Sequence, residues 1–212
     1  RAGHFMPVFG LRWAEHPDLV RRYGGTPLFS ETYAAAAEYV TGRFELHATG
    51  FVKNPLLDPV RLENGAALYG EMRLDDRTLV GAGGMVDFGG FDNHTFRGEL
   101  TAKRYLPGPD LLLQAELQVI NPHVGAYGYT GLASNLVATY FAPKGIMIDA
   151  AWEHYDENLR IADLDRDRFD LNIHWFTTSH IELMLVDRLE FMQWGKGGPT
   201  GAVAMLQAHY RL

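Results

Sequence analysis

Arg168-Phe169-Asp170-Leu171-Asn172-Ile173-His174-Trp175 is the stretch on which the fold turns. Phe169, Leu171, Ile173 and Trp175 alternate with Arg168, Asp170, Asn172 and His174. Successive side chains of a strand point to opposite faces, so this order gives one apolar and one polar face, and no helical stripe gathers either set. Residues 201–212 divide in the same way. Ala204, Leu206, Ala208, Tyr210 and Leu212 fall on one side, and Met205, Gln207, His209 and Arg211 on the other.

The division recurs upstream. Leu111, Leu113, Ala115, Leu117 and Val119 oppose Gln114, Glu116 and Gln118. Phe44, Leu46 and Ala48 oppose Arg43, Glu45 and His47, and Phe96, Leu100 and Ala102 oppose Arg97, Glu99 and Lys103. Leu68 and Met72 face away from Glu71 and Arg73, and Ile146, Ile148 and Trp152 from Asp149 and Glu153. Tyr33, Ala35, Ala37 and Tyr39 face away from Glu38, and with weaker segments at 1–9, 78–88, 130–141 and 181–193 the count is about twelve strands, an even number.

The joins between strands sort into two kinds. Those near Thr41–Gly42, Asp75–Thr78, Pro107–Asp110, Pro143–Lys144 and Thr177–His180 are tight. Those at 10–31, 54–63, 88–94, 121–129, 156–166 and Gly195–Pro199 are longer. Strict alternation of turns and loops is what a barrel threaded through a bilayer requires, with the turns in the periplasm and the loops outside. The fold expected is therefore all-β, an antiparallel up-and-down transmembrane β-barrel. It occupies 1–212 as a single domain, is closed on itself or forms part of a larger barrel, and has both termini periplasmic. Arg1 opens the chain inside a strand-like stretch, so upstream sequence is expected.

Composition narrows the function classes. No run approaches the roughly 18 apolar residues that a membrane helix needs. The chain of 212 residues carries a net charge of -7, so a phosphate-tracking nucleic-acid surface is not expected. Cysteine is absent, which removes disulfides and thiolate chemistry. No nucleophile elbow, phosphate loop or His-Glu-x-x-His pattern occurs, and Thr178, Ser179 and His180 read as turn residues, so an enzyme is not expected. Nine histidines invite a metal reading, but Glu45 with His47 has no matching second pair, and neither metal nor cofactor is expected.

The last strand, with Tyr210 two places before the terminal apolar Leu212, resembles the assembly signal of Gram-negative outer-membrane porins. That group usually ends in phenylalanine or tryptophan, and this chain ends in leucine. The opening Gly3-His4-Phe5-Met6-Pro7-Val8-Phe9-Gly10 before a long loop also resembles an early hairpin of such porins. The resemblance implies the outer membrane, contact with its lipids and lipopolysaccharide, delivery by the barrel assembly machinery, and a pore for small hydrophilic solutes. A homo-oligomer or a protein partner is compatible with it. The alternative reading is a sheath or scaffold barrel around a partner such as a multihaem cytochrome; a soluble ligand-binding barrel is a third.

The polar faces would line the lumen. Expected there are Arg43, Glu45, His47, Glu71, Arg73, Arg97, Glu99, Lys103, Gln114, Glu116, Asp149, Glu153, Arg168, Asp170, Asn172, His174, Arg188, Gln207, His209 and Arg211. Both signs alternate, which predicts weak selectivity. Helical hints at His16–Arg22 and Asn54–Asp58 could fold inward, and Arg21 and Arg22 would then form a positive constriction. Tyr39, Phe51, Tyr105, Tyr140, Trp152, Trp175 and Tyr210 are expected in interfacial girdles. Asp187 falls on the apolar side of its strand, where a carboxylate is costly.

Overall fold

The computed structural model describes residues 1–11, 18–24, 31–52, 64–89 and 92–210. One antiparallel sheet dominates it. Its strands are β1 (Ala2–Phe5), β2 (Thr32–Val40), β3 (Phe44–Val52), β4 (Asn64–Asp75), β5 (Thr78–Phe88) and β6 (Asn93–Leu106). They continue with β7 (Leu111–Val124), β8 (Tyr127–Gly128), β9 (Gly131–Ala142), β10 (Ile146–Asp156), β11 (Asp165–Phe176), β12 (Ile181–Met192) and β13 (Gly201–Tyr210). Each strand pairs with its sequence neighbours except the two-residue β8, which folds back on the end of β7 and leaves β7 paired with β9. The tight turns fall where the turn residues of the sequence place them, whereas the join expected at 121–129 is mostly strand, because β7 runs to Val124 and β8 takes Tyr127–Gly128; the join at 54–63 lies outside the described residues. No described helix is long and apolar enough to cross a membrane, and the crossing elements are strands.

Register confirms the two-faced pattern. Across β10, β11 and β12, Glu153, Arg168 and Glu190 share one row, and Ala150, Leu171 and Asp187 another on the opposite face. The apolar face is exposed, with Leu68, Leu100, Leu171, Leu185 and Leu206 open to the surroundings. Its opposite holds the buried polar groups, among them Glu99, Glu116, Gln118, Asn135, Glu153, Arg168, Asp170 and Asn172. A wall with its oily side outward and its polar side covered is the inverse of a soluble core.

One further expectation changes. Residues 1–9 do not form one strand. β1 stops at Phe5, Pro7 offers no N–H to a ladder, and Gly10 at φ +70° turns the chain. Nor is the ring closed among the described residues: β1 pairs with β2, β13 with β12, and no pairing joins β1 to β13. With only four residues before the chain diverts inward, β1 is too short to match the ten of β13. Among the described residues both edges carry unpaired backbone groups, which lipid does not tolerate uncovered.

Candidate functional site

The diverted segment is the centre of the site. Residues 5–11 and 18–24 run along the polar face of the wall as a strap, crossing from β2 to β11. Phe5 and Phe9 pack with Ala34, Phe51, Ala67 and Met85 in one buried cluster. Farther along, Val20 packs with Ile120 and Ala133, and Tyr155 lies against them. These apolar side chains stand at inward positions of an otherwise polar face, where they give the strap something to bury. The short helix α1 (Leu19–Tyr23) buries Leu19 and Val20. At five residues it is too short to stand alone, so the wall holds it.

Carboxylates of the wall receive the strap's main-chain amides. Gly10 N–H donates to Glu99 Oε1 at 2.7 Å, and Leu11 N–H to Glu116 Oε2 at 3.0 Å. Leu19 N–H donates to Glu153 Oε2 at 2.5 Å. Gln118 Nε2 donates to Glu116 Oε1 at 2.5 Å and so fixes that carboxylate. The backbone approaches so closely that a Cβ at Gly10 would meet the Glu116 and Glu99 carboxylates, and one at Gly24 the Gln118 side chain. Wall glycines have the same purpose: a Cβ at Gly83 would strike Glu99, and one at Gly81 would strike Thr101 and Tyr69.

Beneath α1 lies a buried ionic network. Arg168 Nη2 donates to Asp18 Oδ1 at 3.1 Å and also to Glu153, while its Nε lies 3.4 Å from Asp170 Oδ2. Arg188 grips Asp170 with two bonds, of 2.8 and 2.7 Å. Asp18, Glu153 and Asp170 place carboxylate oxygens within 4.8 Å of one another, a spacing that a cation could bridge. The Arg168 guanidinium sits among all three, and Arg188 adds a second cation on Asp170.

The strap carries Arg21 and Arg22 on α1, with Arg21 half-buried and Arg22 exposed. Tyr23 stacks on Tyr155 with ring centroids 4.0 Å apart, and Arg166 Nη1 donates to its hydroxyl at 3.2 Å. The other helical hint, Asn54–Asp58, lies outside the described residues, as does Arg211.

Other inward residues form separate groups nearer the tight turns. His47 Nε2 meets Glu45 Oε1 at 2.5 Å, with Glu38 3.8 Å from the other ring nitrogen. Lys103 donates to Glu71 at 2.8 Å, and Gln114 stands opposite Lys103 in the register. His174 lies between Asp149, at 3.1 Å, and Glu182, at 2.7 Å; Glu182 also meets His209, which contacts Gln207. At the other end, beside the longer join between β5 and β6, Arg97 pairs with Asp87. Arg73 is exposed on the inward side of β4, and Arg43 sits in the exposed turn before β3.

Four placements correct the expectations. Glu99, Glu116, Glu153 and Arg168 face inward but lie under the strap, because they bind its amides and Asp18. Phe51 is buried on the inner face and not in a girdle, since it packs against the strap. Tyr105 has inward parity and donates to Asp110 Oδ1 at 2.5 Å. Tyr39, Tyr140, Trp175 and Tyr210 do stand on the outward face at the tight-turn ends, but Trp152 lies in mid-strand, donating to Asp167 Oδ1 at 2.9 Å. Sequence reasoning missed Glu182 and Tyr23: the pairing of β11 with β12 brings the first to His174, and the docking of α1 brings the second to Tyr155.

No protein-family model matches the chain, and no curated protein does. Solved structures do. One is OmpT, an outer membrane protein of Vibrio cholerae folded in vitro, with a TM-score of 0.65 and 15% identity. The match covers 84% of this chain and 63% of that one, so the chain spans less than two thirds of its length. The loop L8 deletion mutant of the same protein gives a TM-score of 0.69 at 15% identity over 98% of this chain and 68% of that one. A trimer form of OmpT matches at 0.65 and 15%, over 85% and 65%. The sheet, its two faces and these likenesses agree on one architecture: the chain has the antiparallel β-barrel fold of Gram-negative outer-membrane proteins.

Proposed function

We propose that the chain forms the wall and constriction of an outer-membrane channel for passive diffusion of small hydrophilic solutes or ions. Its tight turns would lie in the periplasm and its loops outside. One observation carries the reading: a strap is docked along the inner wall, with Leu19 N–H on Glu153 Oε2 and Arg22 exposed, and such a strap would narrow a lumen. The residues nearer the turns supply a wall of paired charges and amides, which suits water and small polar solutes. A sheath around a cytochrome would need that inner face free for its guest, and the strap occupies it from β2 to β11. Assembly follows the same reading: lipids and lipopolysaccharide cover the outward face, and the terminal strand engages the barrel assembly machinery. Self-association is compatible with it, since one similar structure is described as a trimer form.

The test is conductance of the whole protein, purified from membranes in detergent, in planar bilayers. Discrete channels are expected, and their absence in heat-modifiable, folded protein would refute the proposal. In the Arg21→Ala/Arg22→Ala variant the reversal potential in a salt gradient shifts toward cation preference, because two positive charges leave the constriction.

A further inference from the structure

The outward face carries a groove of about 620 Å³ across β6, β7, β9 and β10. Register defines it. Arg104, Leu113, Ala138 and Ala150 stand side by side in one row, and Ala102, Ala115, Leu136 and Trp152 in the next. The alanines make the floor, while Leu113, Leu136 and Trp152 rise as walls. Arg104 closes the end nearer the tight turns. Within the described strands it is the one lysine or arginine whose position falls on the outward face, and it is exposed.

Two other outward grooves, of about 630 and 590 Å³, lie around Ala66 and around Gly70. Neither has a cation on its outward rim, so the charge distinguishes the first. Asp75 is near enough to feel Arg104, but its oxygens accept from the Arg77 N–H and the Thr78 hydroxyl. A guanidinium on a lipid-facing wall is stable where it can reach headgroup oxygens, and its planar fork suits a phosphate held by two bonds. Arg104 lies two places from the end of β6 at Leu106, at the depth where headgroups begin.

We propose that this groove seats one acyl chain of an anionic glycerophospholipid from the leaflet at the tight-turn end, with Arg104 on its phosphate. The proposal rests on the membrane-spanning fold and is independent of channel activity. The hydrocarbon lies over the alanine floor between Leu113 and Leu136, and the lipid remains when bulk lipid exchanges.

The experiment titrates the whole detergent-purified protein with dioleoyl phosphatidylglycerol and counts retained lipids by native mass spectrometry. Arg104→Gln removes the charge, Ala138→Phe fills the floor, and Ala66→Phe fills an uncharged groove as a control. Each of the first two lowers affinity about tenfold, as expected for loss of a charge-assisted bond or its seat. Ala66→Phe leaves affinity unchanged, and phosphatidylcholine binds more weakly than phosphatidylglycerol. Wild-type affinity in Arg104→Gln overturns the proposal. So does a loss in Arg104→Gln with none in Ala138→Phe, which would reduce the site to surface charge. Heat-modifiable mobility of each variant verifies folding. Unchanged conductance in the same variants separates this test from that of the channel.

Discussion

Leu19 and Glu153 stand 134 positions apart in the chain, yet the amide of the first donates to the carboxylate of the second at 2.5 Å. That bond ties the first turn of α1 to the middle of β10. Arg168 beside it pairs with both Glu153 and Asp18, so that neither carboxylate is buried unpaired. A strap anchored by charge at one end and by Phe5 and Phe9 at the other is held against the wall at both ends.

Arg168→Leu tests this anchor. The substitution leaves Asp18 and Glu153 buried without their cation, and Asp170 with Arg188 alone. Breaking a buried ionic network on one side costs about 3–5 kcal/mol. The expected result is a lower urea midpoint in detergent and a lower temperature for the heat-modifiable gel shift. An unchanged midpoint would mean that the network contributes nothing to holding α1.

Gly10→Val tests the strap apart from the barrel. At φ +70° a β-branched residue is strained, and its side chain would meet the carboxylates of Glu99 and Glu116. The strap must lift while the strand pairing of the wall, in which Gly10 takes no part, stays intact. Larger single-channel conductance with wild-type gel mobility is expected. Conductance equal to wild type would show that the strap does not narrow the lumen.

The sequence disclosed the wall better than what lies against it. Period-two alternation survives because lipid penalises each outward polar group, so Phe169, Leu171, Ile173 and Trp175 betray their face without reference to any partner. Tight turns then fix the register of each hairpin. The strap follows no such local rule. Residues 1–9 read as a strand until Pro7 and Gly10 are weighed, and the docking sites of the strap are apolar residues scattered at inward positions: Ala67, Met85, Ile120 and Ala133. Those four anomalies were visible as breaks in a polar face, but their common partner was not. The contacts among His174, Glu182 and His209 likewise follow from the pairing of β11, β12 and β13.

Asp187→Leu should stabilise the protein. Asp187 is exposed on the outward face of β12, opposite Leu171 on one side and Ala204 on the other. Its carboxylate gains nothing from hydrocarbon, and replacing it returns about 1–2 kcal/mol. The urea midpoint in detergent and in lipid vesicles measures the gain, which should be larger in vesicles. Destabilisation instead would show that Asp187 meets a polar partner in the assembled protein.

A pair of substitutions with the same new charge tests the sidedness of the wall. Leu100 is 61% exposed in the middle of β6 on the apolar face, whereas Gln114 faces inward opposite Lys103. Leu100→Glu forces a carboxylate into hydrocarbon at mid-depth and costs about 1–2 kcal/mol. Gln114→Glu places the same group beside an ammonium in an aqueous lumen and leaves stability unchanged to within about 0.5 kcal/mol. Folding of both variants into vesicles, followed by urea titration, separates them. Equal losses would contradict a lipid-facing outside and a wet inside.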